Sequence, residues 1–121
     1  MSEFKLLKLY EAVDGRGRLS VIQDELPFIV QRVFWIVDAD EQLRGGHRHH
    51  VTRQALIALR GVVSVYMNDG IHEQTVRLDS PSICLIVETD DWHTMHFEPG
   101  AILLVLASEK YNRNDYIDSA Y

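Results

Sequence analysis

Cysteine and proline are scarce in this chain: one Cys and three Pro among 121 residues. A lone cysteine, Cys84, excludes an internal disulfide. It sits in SICLIV, where a buried, inert core residue is expected. Pro27, Pro81 and Pro99 each fall between apolar runs, at positions suited to turns. Basic residues are also short: 12 Lys and Arg face 18 Asp and Glu, for a net charge of -6. That balance excludes nucleic acid as the main partner, because phosphate binding needs a basic surface. It leaves room for a local basic pocket that takes one small anion. The opening stretch MSEFKLLKLY has no apolar run long enough for a signal peptide or a membrane span. A cytoplasmic protein with no membrane partner is therefore the expectation. No internal repeat, low-complexity tract or linker interrupts the chain, so residues 1–121 read as a single domain.

What the chain does have is many short apolar runs. FKLLKL, LSVIQ, RVFWIV, QALIALR, VVSVYM, HEQTVRL, SICLIV and AILLVLA follow one another, punctuated by DGRG, NDG, DSPS and EPG. Several are rich in Val, Ile, Phe, Trp and Tyr, the residues that suit a pleated surface. NDG at 68–70 is a strong hairpin signal between two of them. QALIALR read alone fits a helical turn, but its length and neighbours favour a strand. The pattern predicts an all-β sandwich or barrel. The tail NRNDYIDSAY predicts one short helical turn, N-capped by Asn112 or Asn114, and then a loose end.

The chemistry concentrates in RGGHRHH, residues 44–50. If HRHH begins a strand, alternation places His47 and His49 on one face and Arg48 and His50 on the other. In a small barrel one of those faces lines the interior. Three readings compete. The stretch is a solvated basic turn, or an imidazole metal site of the HxH kind, or a pair of acid/base groups with pKa values suited to neutral pH. Metal-binding barrels add an acidic residue a few positions later, and here that position holds the neutral amide Gln54. His93 and His96 are available as late ligands, but the carboxylate is missing.

Together these segments resemble a known family. RGGHRHH, then QALIALRGVVSVYMNDG, SPSICLIVETDDWHTMHFEPGAILLVLAS and YNRNDYI are similar in order and spacing to the nucleotide-sugar 3,4-ketoisomerases. These are WxcM-like proteins of the cupin superfamily. The resemblance covers nearly the whole chain. It implies a cupin-type jelly-roll barrel and a homodimer with exchanged N-terminal strands. It implies a dTDP-linked 4-keto-6-deoxyhexose as substrate, with no metal and no cofactor. The implied reaction is 3,4-ketoisomerisation of dTDP-4-keto-6-deoxyglucose, on the way to unusual sugars of surface glycans. A non-catalytic nucleotide-sugar-binding domain, a metal-dependent cupin oxygenase and a related epimerase are the competing classes.

The resemblance also implies roles. His49 becomes the principal base at C3, His47 its partner in proton relay, and Arg44 the group that stabilises the enediolate oxygen. Arg32 binds pyrophosphate or sits at the exposed end of its strand. Relatives carry tyrosines where this chain has Phe34 and Trp35, so Trp35 is a candidate sugar contact without the hydroxyl, and Phe34 reads as core. Gln54 binds the sugar, fixes an imidazole tautomer or is a buried structural amide. Trp92 forms a flat pocket wall and His93 lies near the pair. Arg48 and His50 depart from the family pattern. Pointing outward, they reach the dimer interface or the nucleotide phosphates. His72 and His96 are expected to be structural or exposed, and Tyr66 and Met67 to be core or pocket lining.

Overall fold

The structure, a computed structural model, describes residues 4–121. Residues 1–3, the start of the expected single domain, lie outside the described part. The short runs fold as strands: β1 (Lys5–Lys8), β2 (Tyr10–Asp14), β3 (Gly17–Val21), β4 (Arg32–Ile36), β5 (Leu43–His49) and β6 (Gln54–Arg60). They continue as β7 (Val63–Asn68), β8 (Glu73–Leu78), β9 (Ile83–Val87), β10 (Trp92–Phe97), β11 (Ile102–Ala107) and β12 (Tyr116–Ile117). One sheet has the order β1-β9-β6-β11-β4 and the other β12-β5-β10-β7-β8, while β2 and β3 form a separate hairpin. Every strand pair is antiparallel. Two such sheets packed face to face make the expected jelly roll. β1 pairs here with β9 of its own chain.

Alternation decides what fills the interior. In β7, Val63, Val65 and Met67 point inward, as do Val76 and Leu78 on β8. Leu56 and Ala58 of β6 face them with Leu103 and Val105 of β11, and Phe97 of β10 closes the layer. β6 reads as continuously apolar because its other face is covered too. Ala55, Ile57, Cys84, Ile86 and Leu106 form a second cluster on the outer side, under Ile22, Leu26 and Phe28. Cys84 is fully buried, and burial pushes its thiol up to about 12, so it is the inert core residue expected. The NDG hairpin joins β7 to β8. The tail makes the expected turn, a 3-10 helix (Arg113–Asp115), and Asn112 is its N-cap, accepting a hydrogen bond from the Asn114 N–H.

Candidate active site

The candidate site lies at the end of the barrel where β5 leaves for β6. β5 and β6 belong to opposite sheets, so the chain crosses the mouth between His49 and Gln54. Gln54 therefore does not continue the alternation of the histidines. It faces them from the opposite wall, next to Leu56 on the inward side of β6.

HRHH does not begin a strand, since His47–His49 close β5 and His50 lies outside it, but alternation within β5 still puts His47 and His49 side by side. His47 lies beside His93 of β10 in register. The His47 ring is 5.0 Å from His49 and 5.1 Å from His93, centroid to centroid. His49 and His93 are each 1% exposed. Alternation alone would send Arg44 to the face away from His47. The register of β5 against β10 slips by one residue at Gly45 and Gly46, so that Met95 pairs with Arg44 and His93 with His47. This β-bulge returns Arg44 to the inner side. Both glycines have left-handed φ values, 87° and 80°, where an L side chain is strained. A Cβ at Gly45 would also come within 2.9 Å of the His93 carbonyl oxygen.

A cavity of about 160 Å³ opens here, lined by Arg44, His47, Gln54 and His93, with Phe34, Met95 and Tyr116 among its walls. His49, buried beside His47, is not part of that lining. Arg32 points inward at the start of β4, its guanidinium 5.1 Å from the Phe34 ring and 5.7 Å from Tyr111. Its buried Nε has no hydrogen-bond partner among the described residues. Phe34, read as core, both packs against the core and lines the cavity.

The imidazoles are held neutral. Burial depresses the pKa of His93 to about 3, against a hydrogen bond that favours the charged form. That bond joins Nδ1 to the Asp91 carbonyl oxygen at 3.1 Å. A carbonyl only accepts, so Nδ1 carries the proton and Nε2 keeps its lone pair. Burial, followed by the nearby His47, lowers His49 to about 4, opposed by the Asp115 carboxylate. Burial also lowers His47. Neither ring nitrogen of His49 has a hydrogen-bond partner among the described residues. Among the described residues, no group of three or more His, Cys, Asp or Glu side chains is arranged to hold a metal ion. No helix there is long and apolar enough to cross a membrane.

The remaining candidates lie elsewhere. Trp35 is 64% exposed on the outer side of β4. Trp92 stands on the face of β10 opposite His93, near the Gly46 backbone, and does not wall the cavity. Arg48 points outward as expected, but it engages the tail: its guanidinium stacks 4.1 Å from the Tyr121 ring and its Nε donates to the Ser119 carbonyl at 3.3 Å. His50 is exposed, and so is His72, whose Nδ1 is 3.4 Å from Asp69. His96 is 3.6 Å from Glu41 at the surface. Met67 is core, whereas Tyr66 is half-buried and donates to Glu73.

Sequence reasoning did not single out Tyr116. Its ring lies 4.8 Å from His47 and 4.7 Å from His49, edge-on to both. The segment YNRNDYI carried the signal, since a capped turn there returns the chain onto β5.

The comparisons with known proteins converge on this architecture. The family profile described as FdtA, WxcM-like, C-terminal matches residues 2–121. A TDP-4-oxo-6-deoxy-alpha-D-glucose-3,4-oxoisomerase of Aneurinibacillus thermoaerophilus is 38% identical over 119 residues, 95% of this chain and 86% of the relative. The chain belongs to this family of 3,4-ketoisomerases. Two solved structures of the family agree closely in shape. The QdtA 3,4-ketoisomerase of Thermoanaerobacterium thermosaccharolyticum, a double mutant in complex with TDP, gives a TM-score of 0.93 at 36% identity and covers 98% of this chain and 89% of its own. The WlaRB TDP-quinovose 3,4-ketoisomerase of Campylobacter jejuni gives 0.92 at 36% identity, over 98% and 95%. The cupin-type jelly roll expected from the sequence is the family fold.

Proposed function

We propose that this ketoisomerase acts on a TDP-linked 4-keto-6-deoxyhexose and uses its barrel-mouth histidines as acid/base groups. The observation that carries this reading is the cavity wall: His47 faces it, neutral, with Arg44 brought to the same side by the glycine bulge. The 4-ketone acidifies the C3–H. A neutral imidazole accepts that proton, and the C–H electron pair becomes the C3–C4 double bond of an enediolate whose charge rests on the C4 oxygen. Proton delivery to C4 and loss of the C3 hydroxyl proton complete the 3-ketone.

On this reading the order of roles is the reverse of that expected from the sequence. His47, on the wall, takes the C3 proton, and His49, buried beside it, relays. Arg44 offers a cation to the developing oxyanion, a kind of stabilisation that exceeds a general acid or base in weight. Gln54 positions the sugar from the facing sheet, and His93 presents its Nε2 lone pair as an acceptor. Arg32 supplies a second cation at the mouth for the diphosphate.

The outer side of the barrel supports a homodimer. A depression of about 600 Å³ runs over Leu9, Ile22, Val30, Ile57 and Leu104, and exposed Val33 and Trp35 continue it along β4, paired with Leu106 and Leu104. An apolar patch of that kind marks a protein contact. Light scattering is expected to give twice the 14.0 kDa chain mass.

The deciding experiment incubates dTDP-4-keto-6-deoxyglucose with the protein in D2O and follows the sugar by NMR. Deuterium at C3 of returned substrate and C4 of product, with new sugar resonances, is expected. A sugar that stays unexchanged overturns the reading and leaves a binding domain.

A further inference from the structure

We propose that Tyr116 is a positioning residue of the ketoisomerase site, and that the C-terminal segment 111–121 is the arm that holds it there. The inference rests on the reading of the histidines given above. It starts from an asymmetry between two of them. His93 is oriented by a hydrogen bond from Nδ1 to the Asp91 carbonyl. His49 has no hydrogen bond on either nitrogen, so only packing fixes its ring plane. The edge-on Tyr116 ring at 4.7 Å is its nearest aromatic contact, closer than His47 at 5.0 Å.

β12 has two residues, and its pairing of Tyr116 with His49 and Ile117 with Arg48 cannot by itself hold this segment in place. The chain is pinned on both sides of it. On the near side the Asp115 carboxylate accepts from the Val51 N–H at 2.7 Å, the Thr52 hydroxyl at 2.5 Å and the Thr52 N–H at 3.3 Å. The Asp115 carbonyl accepts from the His50 N–H at 3.0 Å. Burial pushes the Asp115 carboxyl up, but these hydrogen bonds outweigh it and hold it below its ordinary value. On the far side Tyr121 stacks under Arg48 and donates its hydroxyl to the Asp90 carbonyl at 2.6 Å. Asp90 in turn donates its N–H to the His49 carbonyl. Both anchors therefore close on the backbone of β5 or the crossing that follows it. Between them the tail lays one ring across the histidine pair.

Such a ring does two things. It fixes the imidazole planes, and misplacement of a reacting group by about 1 Å costs on the order of 100-fold in rate. It also keeps water from His49. The charged groups facing the pair are Arg32 on β4, Arg44 on β5, Asp115 on the 3-10 helix and Asp118 beyond β12, with His93 from β10. None of these is removed when the Tyr116 ring is cut back.

The test compares Tyr116→Ala, Tyr116→Phe and Tyr121→Ala. Two readouts are taken: steady-state kinetics, and NMR titration of the histidine ring nitrogens in the free protein. In Tyr116→Ala, kcat is expected to fall about 10- to 100-fold with KM changed less than about threefold. The His49 titration is expected to move up toward the ordinary imidazole range as water enters. Tyr116→Phe, which keeps the ring, is expected to recover most of the kcat and to restore the titration. Tyr121→Ala, a surface change that leaves the barrel core intact, is expected to shift both readouts in the same direction by a smaller amount. Wild-type behaviour in Tyr116→Ala, or a Phe variant as poor as Ala, overturns the positioning role. Unchanged readouts in Tyr121→Ala overturn the arm. Because the titration uses no sugar, it judges Tyr116 even if the wild-type chain fails to convert the TDP-sugar.

Discussion

At one end of the barrel the inward side chains are Ala58, Val63, Leu78, Phe97 and Leu103; at the other they are Arg32, His47, His49, Gln54 and His93. Both ends hold deeply buried side chains: Phe97 and Leu78 are fully buried, and His49 and His93 are 1% exposed. What separates them is satisfaction. Every group at the apolar end asks only for neighbours and has them. At the polar end both nitrogens of His49 and the Nε of Arg32 lack hydrogen-bond partners among the described residues. An unpaired buried polar group costs about 1–3 kcal/mol. The fold tolerates that cost at the end where a cavity gives a ligand access, and not at the other. Burial that stabilises an aliphatic side chain here disfavours the charged imidazolium and keeps the ring neutral.

Substitutions at the two ends should separate stability from turnover. His47→Asn is expected to lower kcat for the TDP-sugar by about 10³-fold, within the range for loss of a general acid/base group, while circular dichroism and the unfolding midpoint stay near wild type. Phe97→Ala reverses the pattern. It leaves the histidines untouched and opens a cavity in the filled end, so urea unfolding should show a loss of about 3–5 kcal/mol. Near-equal effects of the two changes on both measurements would erase the division.

The same division explains what could be read from the sequence. The apolar end was legible: composition favoured strands for VVSVYM and AILLVLA, length and neighbours favoured one for QALIALR over the helical turn it fits alone, and NDG placed the hairpin. The polar end was legible only in part. β10 is absent from the runs because its inward positions are His93, Met95 and Phe97, and a buried histidine breaks an apolar pattern. Alternation put His47 and His49 together correctly, since β5 is regular there. It could not foresee the bulge at Gly45 and Gly46 that brings Arg44 round, nor that Gln54 belongs to the facing sheet. Trp35 and Trp92 are aromatic residues in strands beside the site, and only the pleat shows that they point away from the cavity. Tyr116 depends on a tail that returns through Asp115 to Val51 and Thr52, a contact between distant parts of the chain with no local signature.

Acid should expose the cost of the polar end. The unfolded chain binds a proton at each histidine below about pH 6.5. Folded His49 resists until about 4 and His93 until about 3. Between those limits the unfolded state holds more protons, so stability is full above pH 6.5 and falls as pH drops toward 4. Each fully buried neutral imidazole steepens that fall by up to about 1.4 kcal/mol per pH unit. Urea midpoints measured from pH 7 to 5 are expected to decline, and His93→Leu to flatten the decline. Asp115 is held below its ordinary 3.8 and titrates outside this window, so the histidines dominate it. A wild-type stability that is level from pH 7 to 5 would mean the imidazoles are not held neutral.

The smallest effect is the sharpest test of the comparison. His49→Leu replaces a ring that has no hydrogen bond by an aliphatic side chain of similar reach, at a position already 1% exposed. The variant keeps the burial and removes two unsatisfied nitrogens. At pH 7, where the wild-type ring is neutral, the substitution should therefore stabilise the fold, by about 1 kcal/mol, although histidine to leucine in a core leaves Tyr116 with a new neighbour. Turnover should fall at the same time, because the relay is gone. The measurement is the urea midpoint set beside kcat on one preparation. Gain in one with loss in the other is the behaviour of a residue kept for chemistry. Loss in both would show that His49 has a structural partner at that end of the barrel and that its two ends are alike in how they are held.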